Sequence, residues 1–158
     1  MDSSTCSAHR RAVCNWLART HPLPEQAHAE WAHHGLALLP LGRRFDAIRI
    51  PAGRMRGVVG SAEPDTVAKV LAEWLHGPVL RDTRYSEAPY YALVPPGTPW
   101  PDTEQHLGAD AYLGVPRPDG VTPLAAWVVP PQHPGHLCDP ARLRTLLATA
   151  DSPTAAET

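Results

Sequence analysis

A chain of 158 residues lies within the single-domain range and can bury most of the apolar surface that its unfolded form would expose. Its net charge of −2 with neutral histidines excludes a global field drawing it onto nucleic acid or an anionic membrane, so either partner would need a local patch. Cys6, Cys14 and Cys138 make an odd count without framework spacing, which argues against a disulfide-stapled secreted scaffold. No apolar leader core precedes residue 18, and no window reaches the roughly 18 apolar residues of a membrane span. A cytoplasmic protein with no membrane partner is the expectation.

The 19 prolines, about twice the usual frequency, favour short elements. Residues 4–19 form the first expected helix, with Ser4 or Thr5 as cap and Val13, Trp16 and Leu17 at helical spacing. His21-Pro22-Leu23-Pro24 breaks it, and residues 25–34 form a second helix closed by Gly35. The apolar run 36–41 and the alternating run 45–51, separated by Gly42-Arg43-Arg44, read as a strand pair, the first strand irregular or at an edge because of Pro40.

Residues 63–75 carry a helical stripe of Val67, Val70, Leu71, Trp74 and Leu75, with Pro64 in the first turn and Gly77 past the end. Then come four short strand-like runs, 78–82, 90–97, 111–116 and 125–131, bounded by Gly, Pro and Asp and read as an antiparallel meander. Three of them end in an aromatic, two or three strand formers, and Val-Pro: Tyr91 to Pro95, Tyr112 to Pro116 and Trp127 to Pro130. Proline lacks the ladder donor and keeps its predecessor extended, so each such step ends a strand. A final helix opens at Asp139 as N-cap and Pro140, with Leu143, Leu146 and Leu147 facing inward. The expected fold is α+β, a mostly antiparallel sheet of five to six short strands packed against three to four helices. One domain spans residues 1–150, followed by a small polar tail at 151–158 expected to be disordered.

The richest candidate chemistry is in residues 42–56, where Arg43, Arg44, Arg49, Arg54 and Arg56 face a single acid, Asp46. Such a patch suits phosphate. On a strand, Asp46 shares a face with Ile48 and Ile50. If that face is core, Asp46 must be paired, hydrogen-bonded or functional, because a bare buried carboxylate is costly. Tyr90, Tyr91, Tyr112, Trp100 and Trp127 could stack bases beside the arginines if exposed. His34, with Asp46, Arg49 and Tyr91, could instead converge on a small-molecule pocket at the Val-Pro strand ends.

Other motifs are weaker. Cys6, His9 and Cys14, and His133, His136 and Cys138, lack the tight pairs of structural zinc. His28, His33 and His34 share a helix without the glutamate of a His-Glu-x-x-His protease, and there is no Walker A, Gly-x-Gly-x-x-Gly or Gly-x-Ser-x-Gly. Neither metal nor cofactor is expected.

The run Trp31-Ala32-His33-His34-Gly35-Leu36-Ala37-Leu38-Leu39-Pro40-Leu41, followed by Arg43-Arg44-Phe45-Asp46-Ala47 and the three Val-Pro runs, resembles short stand-alone proteins of the bifunctional DNA primase/polymerase (Prim-Pol) N-terminal type over about residues 25–148. That family's catalysis uses an Asp-x-Asp/Glu pair for two divalent ions and a small-x-His nucleotide motif. Here Asp46 is followed by Ala47-Ile48 and Asp110 by Ala111-Tyr112, so a two-metal site has no carboxylate pair. The resemblance therefore implies a non-catalytic nucleotide- or single-strand-binding module built on Arg43, Arg44, Asp46 and Arg49. The alternatives are a small-molecule enzyme or accessory protein, and a regulatory module with a protein partner.

Overall fold

A computed structural model of the chain describes residues 2–61, 63–84, 86–118 and 122–151. Along them run α1 (Asp2–Ala18), α2 (Pro24–His34), β1 (Leu36–Pro40), β2 (Asp46–Ile50), α3 (Ala52–Val59) and α4 (Pro64–Leu75). Then follow β3 (Val79–Asp82), β4 (Tyr90–Val94), β5 (Gln105–Leu107), β6 (Tyr112–Pro116), β7 (Ala125–Val129) and α5 (Pro140–Asp151). The α+β class holds, and every strand pairing is antiparallel. The strands form two sheets, a five-stranded one in the order β5-β2-β4-β3-β7 and a two-stranded one of β1 and β6. Seven strands and five helices among the described residues exceed the numbers read from the sequence.

Three layers result. One face of the large sheet, carrying Ile48, Ile50, Ala92 and Val94, packs on Met55 of α3, Leu71 and Leu75 of α4, and Leu143 and Leu147 of α5. The other face, carrying Ala47, Leu80, Tyr91 and Leu93, packs on Trp16 and Leu17 of α1, Trp31 of α2, and Ala37, Leu39, Leu113 and Val115 of the small sheet. β2, β4 and β3 are the inner strands of the large sheet, and β2 and β4 are covered on both faces.

The local signals behave as their chemistry requires. Gly35 takes the left-handed conformation (φ 78°) at the end of α2, and its N–H donates to the Trp31 carbonyl. The Glu63 side chain caps α4 by accepting from the Asp65 N–H, and Val67, Leu71 and Leu75 are buried. Asp139 accepts from the Ala141 N–H at 3.0 Å to start α5, whose Leu143, Leu146 and Leu147 face the core as expected. That helix runs through Asp151, and residues 152–158, read as the rest of the polar tail, lie outside the described residues. Among the described residues no helix is long and apolar enough to cross a membrane.

Two pairings differ from the sequence reading. β1 and β2 are not partners: β1 pairs with β6, and β2 with β4 and β5. The cause is burial. β1 hides only Ala37 and Leu39, as suits an outer ribbon, whereas every residue of β2 but the half-buried Arg49 is buried, which demands a sheet interior. The second half is no meander either, because β6 leaves for the small sheet and β7 returns to the edge beside β3. The Val-Pro steps do end β4 and β7 before Pro95 and Pro130, while β6 ends at Pro116 itself. α3 and β5 escaped the sequence reading because α3 contains Gly53 and Gly57 and β5 is a polar three-residue edge.

The segment 130–139, between β7 and α5, holds the half-buried His136. His136 Nδ1 accepts the Gln132 N–H at 3.0 Å. Burial pushes its pKa below 6.5, and the charges of His133 and His76 push the same way, against a hydrogen bond to the His76 backbone. The fold therefore favours the neutral ring. This contribution is fully present above the unfolded value of about 6.5 and is lost as pH falls from there toward the lower folded value. Urea unfolding from about pH 8 to about pH 5 should show a shallower acid loss for His136→Asn than for the parent chain.

Candidate functional site

The strand alternation of β2 divides the residues that the sequence grouped. Asp46 opposes Val94 and Arg49 opposes Tyr91, so the two charged groups project to opposite faces of the large sheet. Asp46 is only 1% exposed. Its Oδ2 accepts the Gly97 N–H at 2.9 Å and bonds His106 Nε2 at 2.8 Å, while Oδ1 is buried without a partner among the described residues. Gly97 (φ 78°) lies just beyond the Val94-Pro95 step, so a Val-Pro strand end does deliver a donor to Asp46. The partner is a histidine on the edge strand rather than an arginine, and the His106 side chain remains about one-third exposed (32%).

The opposite face opens a cleft of about 470 Å³ lined by Tyr91, Asp82 and Leu107 of the large sheet, Leu36, Leu38, Tyr112 and Gly114 of the small sheet, and α2. Gln26, Glu30 and His34 line it because positions i, i+4 and i+8 of a helix share one face. Glu30 Oε1 accepts the Leu38 N–H at 2.8 Å and Oε2 accepts from Gln26 Nε2 at 3.1 Å. The carboxylate thus satisfies the outer edge of β1. The Leu38 N–H chiefly lowers the Glu30 pKa; partial burial opposes it, and Gln26, His21 and His34 add to the lowering.

Asp82 makes a forked pair with Arg84, Oδ1 to Nε at 2.9 Å and Oδ2 to Nη2 at 2.7 Å, and also accepts the Arg84 N–H at 3.1 Å. The Arg84 side chain is the main cause of a lowered Asp82 pKa, opposed by burial and aided by the charge of Arg49. Both acids of the cleft are therefore held ionised by donors of the protein itself. Above them lie exposed apolar surfaces: Leu38 at 54% and Tyr112 at 61% are two of the three large apolar side chains exposed among the described residues.

Of the six residues singled out by sequence, His34 and Tyr91 meet in this cleft, and Arg49 acts on its Asp82 through charge. Asp46 lies on the other face, and Arg43 and Arg44 are exposed in the turn between β1 and β2. The five arginines do not form one surface. Arg54 is paired with Glu104, and Arg56 with Glu87 at 3.2 Å. Tyr90 and Tyr91 are buried, which removes them from a base-stacking platform and leaves Tyr112 the exposed one of those tyrosines. Sequence reasoning missed Glu30, Asp82, Arg84 and His106. Gln26 and Glu30 at helical spacing from His34 carried a usable signal, whereas nothing separated His106 from the other histidines.

Cys138 is buried with its thiol pushed strongly upward by desolvation, and its Sγ donates to the Pro78 carbonyl at 3.2 Å, so it is a packing residue. Among the described residues no group of three His, Cys, Asp or Glu side chains could hold a metal ion. No protein-family model, curated protein or solved structure matches the chain.

Proposed function

We propose that the chain is a non-catalytic binding module that takes a nucleoside or nucleotide in the cleft lined by α2 and residues of both sheets. The observation that carries this reading is the combination of exposed Tyr112 and Leu38 with a rim of committed polar groups. A flat ring needs an apolar face to lie on and donors and acceptors at its edge. Tyr112 and Leu38 offer the first, and Gln26, Glu30, His34 and Asp82 the second. Both carboxylates already accept hydrogen bonds from protein donors, which suits recognition better than proton transfer. The cleft's cation is Arg84, whose side chain is about half exposed, a place for a phosphate at the rim. The Prim-Pol resemblance supports the same ligand class, its sequence runs falling on α2, β1, the 43–47 segment, β4, β6 and β7.

Titration calorimetry with nucleosides, nucleotides and short single strands of DNA and RNA tests this. A stacking contact of ~1–3 kcal/mol predicts that Tyr112→Ala weakens binding by about 5- to 150-fold, with little change in thermal stability because the side chain is exposed. If no member of the panel binds at millimolar concentration, the reading fails.

A second reading, an enzyme acting on a small molecule, is favoured by one geometry alone: a buried carboxylate orienting a part-exposed imidazole, as Asp46 does His106. It requires turnover that His106→Gln abolishes.

A further inference from the structure

A second cavity, of about 250 Å³, opens on the helix-facing side of the large sheet beside the start of α4. Arg81 projects into it from β3, opposite Tyr90 on one side and Ala126 on the other. The guanidinium carbon sits 5.0 Å from the centre of the Tyr90 ring, and Nε is fully buried with no hydrogen-bond partner among the described residues. A cation on a ring face satisfies its charge in part but leaves its in-plane N–H groups unbonded. A buried N–H without an acceptor is costly, and Arg81 is the one cationic side chain among the residues lining the cavity.

The remaining walls define what that acceptor belongs to. Val67, Tyr90, Trp127 and Val128 make most of the lining apolar, with Thr83 and Asp65 toward its exposed side. Inorganic phosphate is small, fully hydrated and multiply charged, and would leave the apolar walls wet. A single carboxylate on a short hydrocarbon body matches both parts: its oxygens accept from Arg81, and its chain covers Val67 and Val128. We infer that this cavity is a binding site for a small apolar carboxylate, with Arg81 as its anchor. Asp65 at the rim can additionally receive an ammonium group, so a plain fatty acid and an apolar amino acid share the required carboxylate, and the two are separable by experiment.

The test is calorimetry on the full chain with 4-methylpentanoate, leucine, 4-methylpentanol and inorganic phosphate. Binding of the pentanoate, of leucine, or of both supports the site and names the source. The alcohol is expected to bind at least about tenfold more weakly than the acid, and Arg81→Met to weaken the acid by at least about tenfold. Ala126→Trp, which plugs the mouth from the exposed strand position beside Arg81, should do the same. Tyr112→Ala, in the other cleft, should leave carboxylate binding unchanged, so the two sites fail independently. Equal binding of acid and alcohol, binding of phosphate alone, no binding at all, or full affinity in Arg81→Met would each overturn the inference.

Discussion

Asp46→Ala is expected to lower the unfolding free energy by about 2–4 kcal/mol, a fall in melting temperature of roughly 5–15 °C for a chain of this size. The carboxylate sits beside Ile48 and Ile50 on the helix-facing side of the large sheet, and its Oδ2 is the shared acceptor for the Gly97 N–H and the His106 ring. Removing it orphans a donor in the turn after β4 and releases the edge strand β5 together. Asp46→Asn retains an acceptor oxygen and should cost about half as much. His106→Ala should cost only about 1 kcal/mol, because that side chain is partly solvated and its loss leaves Gly97 bonded. A double-mutant cycle in urea between positions 46 and 106 should give a coupling of about 1 kcal/mol. An Asp46→Ala chain within about 0.5 kcal/mol of the parent would show that this contact does not anchor the strand.

How far the sequence could lead is visible in that same residue. The alternation of 45–51 was enough to put Asp46 on the Ile48 face and to require a partner for it. Finding the partner was not possible, because His106 is 60 positions away on a polar three-residue strand that carries no periodicity. The helices α4 and α5 were readable because their caps and apolar stripes are local. The pairing of β1 with β6 was not, since it is decided by which strand is buried on one face and which on both, a property of the assembled layers. The candidate cleft shows the same division. His34 and Tyr91, named together from the sequence, line one cleft, yet the acids facing them, Glu30 and Asp82, take their partners from Leu38 and Arg84. Only in Asp82–Arg84 was the partner two residues away, and there a sequence reading could have found it.

Gly77 marks the sharpest contrast between a local signal and its structural cause. Read along the chain, it is a helix stop. In the fold the left-handed cap is His76 (φ 57°), and Gly77 instead lies against another stretch of backbone. A Cβ there would come within 2.2 Å of the Cys138 nitrogen and 2.4 Å of its Cα, atoms that cannot rotate aside. The same crossing carries two hydrogen bonds, from the Cys138 N–H to the Leu93 carbonyl (2.7 Å) and from the Asp139 N–H to the Leu75 carbonyl (3.1 Å). These tie the entry of α5 to β4 and to the end of α4. Moving the 137–139 backbone to admit a methyl group strains the packing by about 1–3 kcal/mol and weakens both bonds, at about 1 kcal/mol each. Gly77→Ala should therefore cost about 3–5 kcal/mol, a large part of a typical domain's stability of about 5–15 kcal/mol. Gly57→Ala is the matched control: it lies within α3 with nothing near its would-be Cβ, and better helix propensity should raise stability by about 0.5–1 kcal/mol. Urea unfolding followed by circular dichroism compares the two directly. Equal and small effects would mean that position 77 needs glycine only to end a helix, whereas opposite signs follow if close backbone approach is what excludes a side chain there.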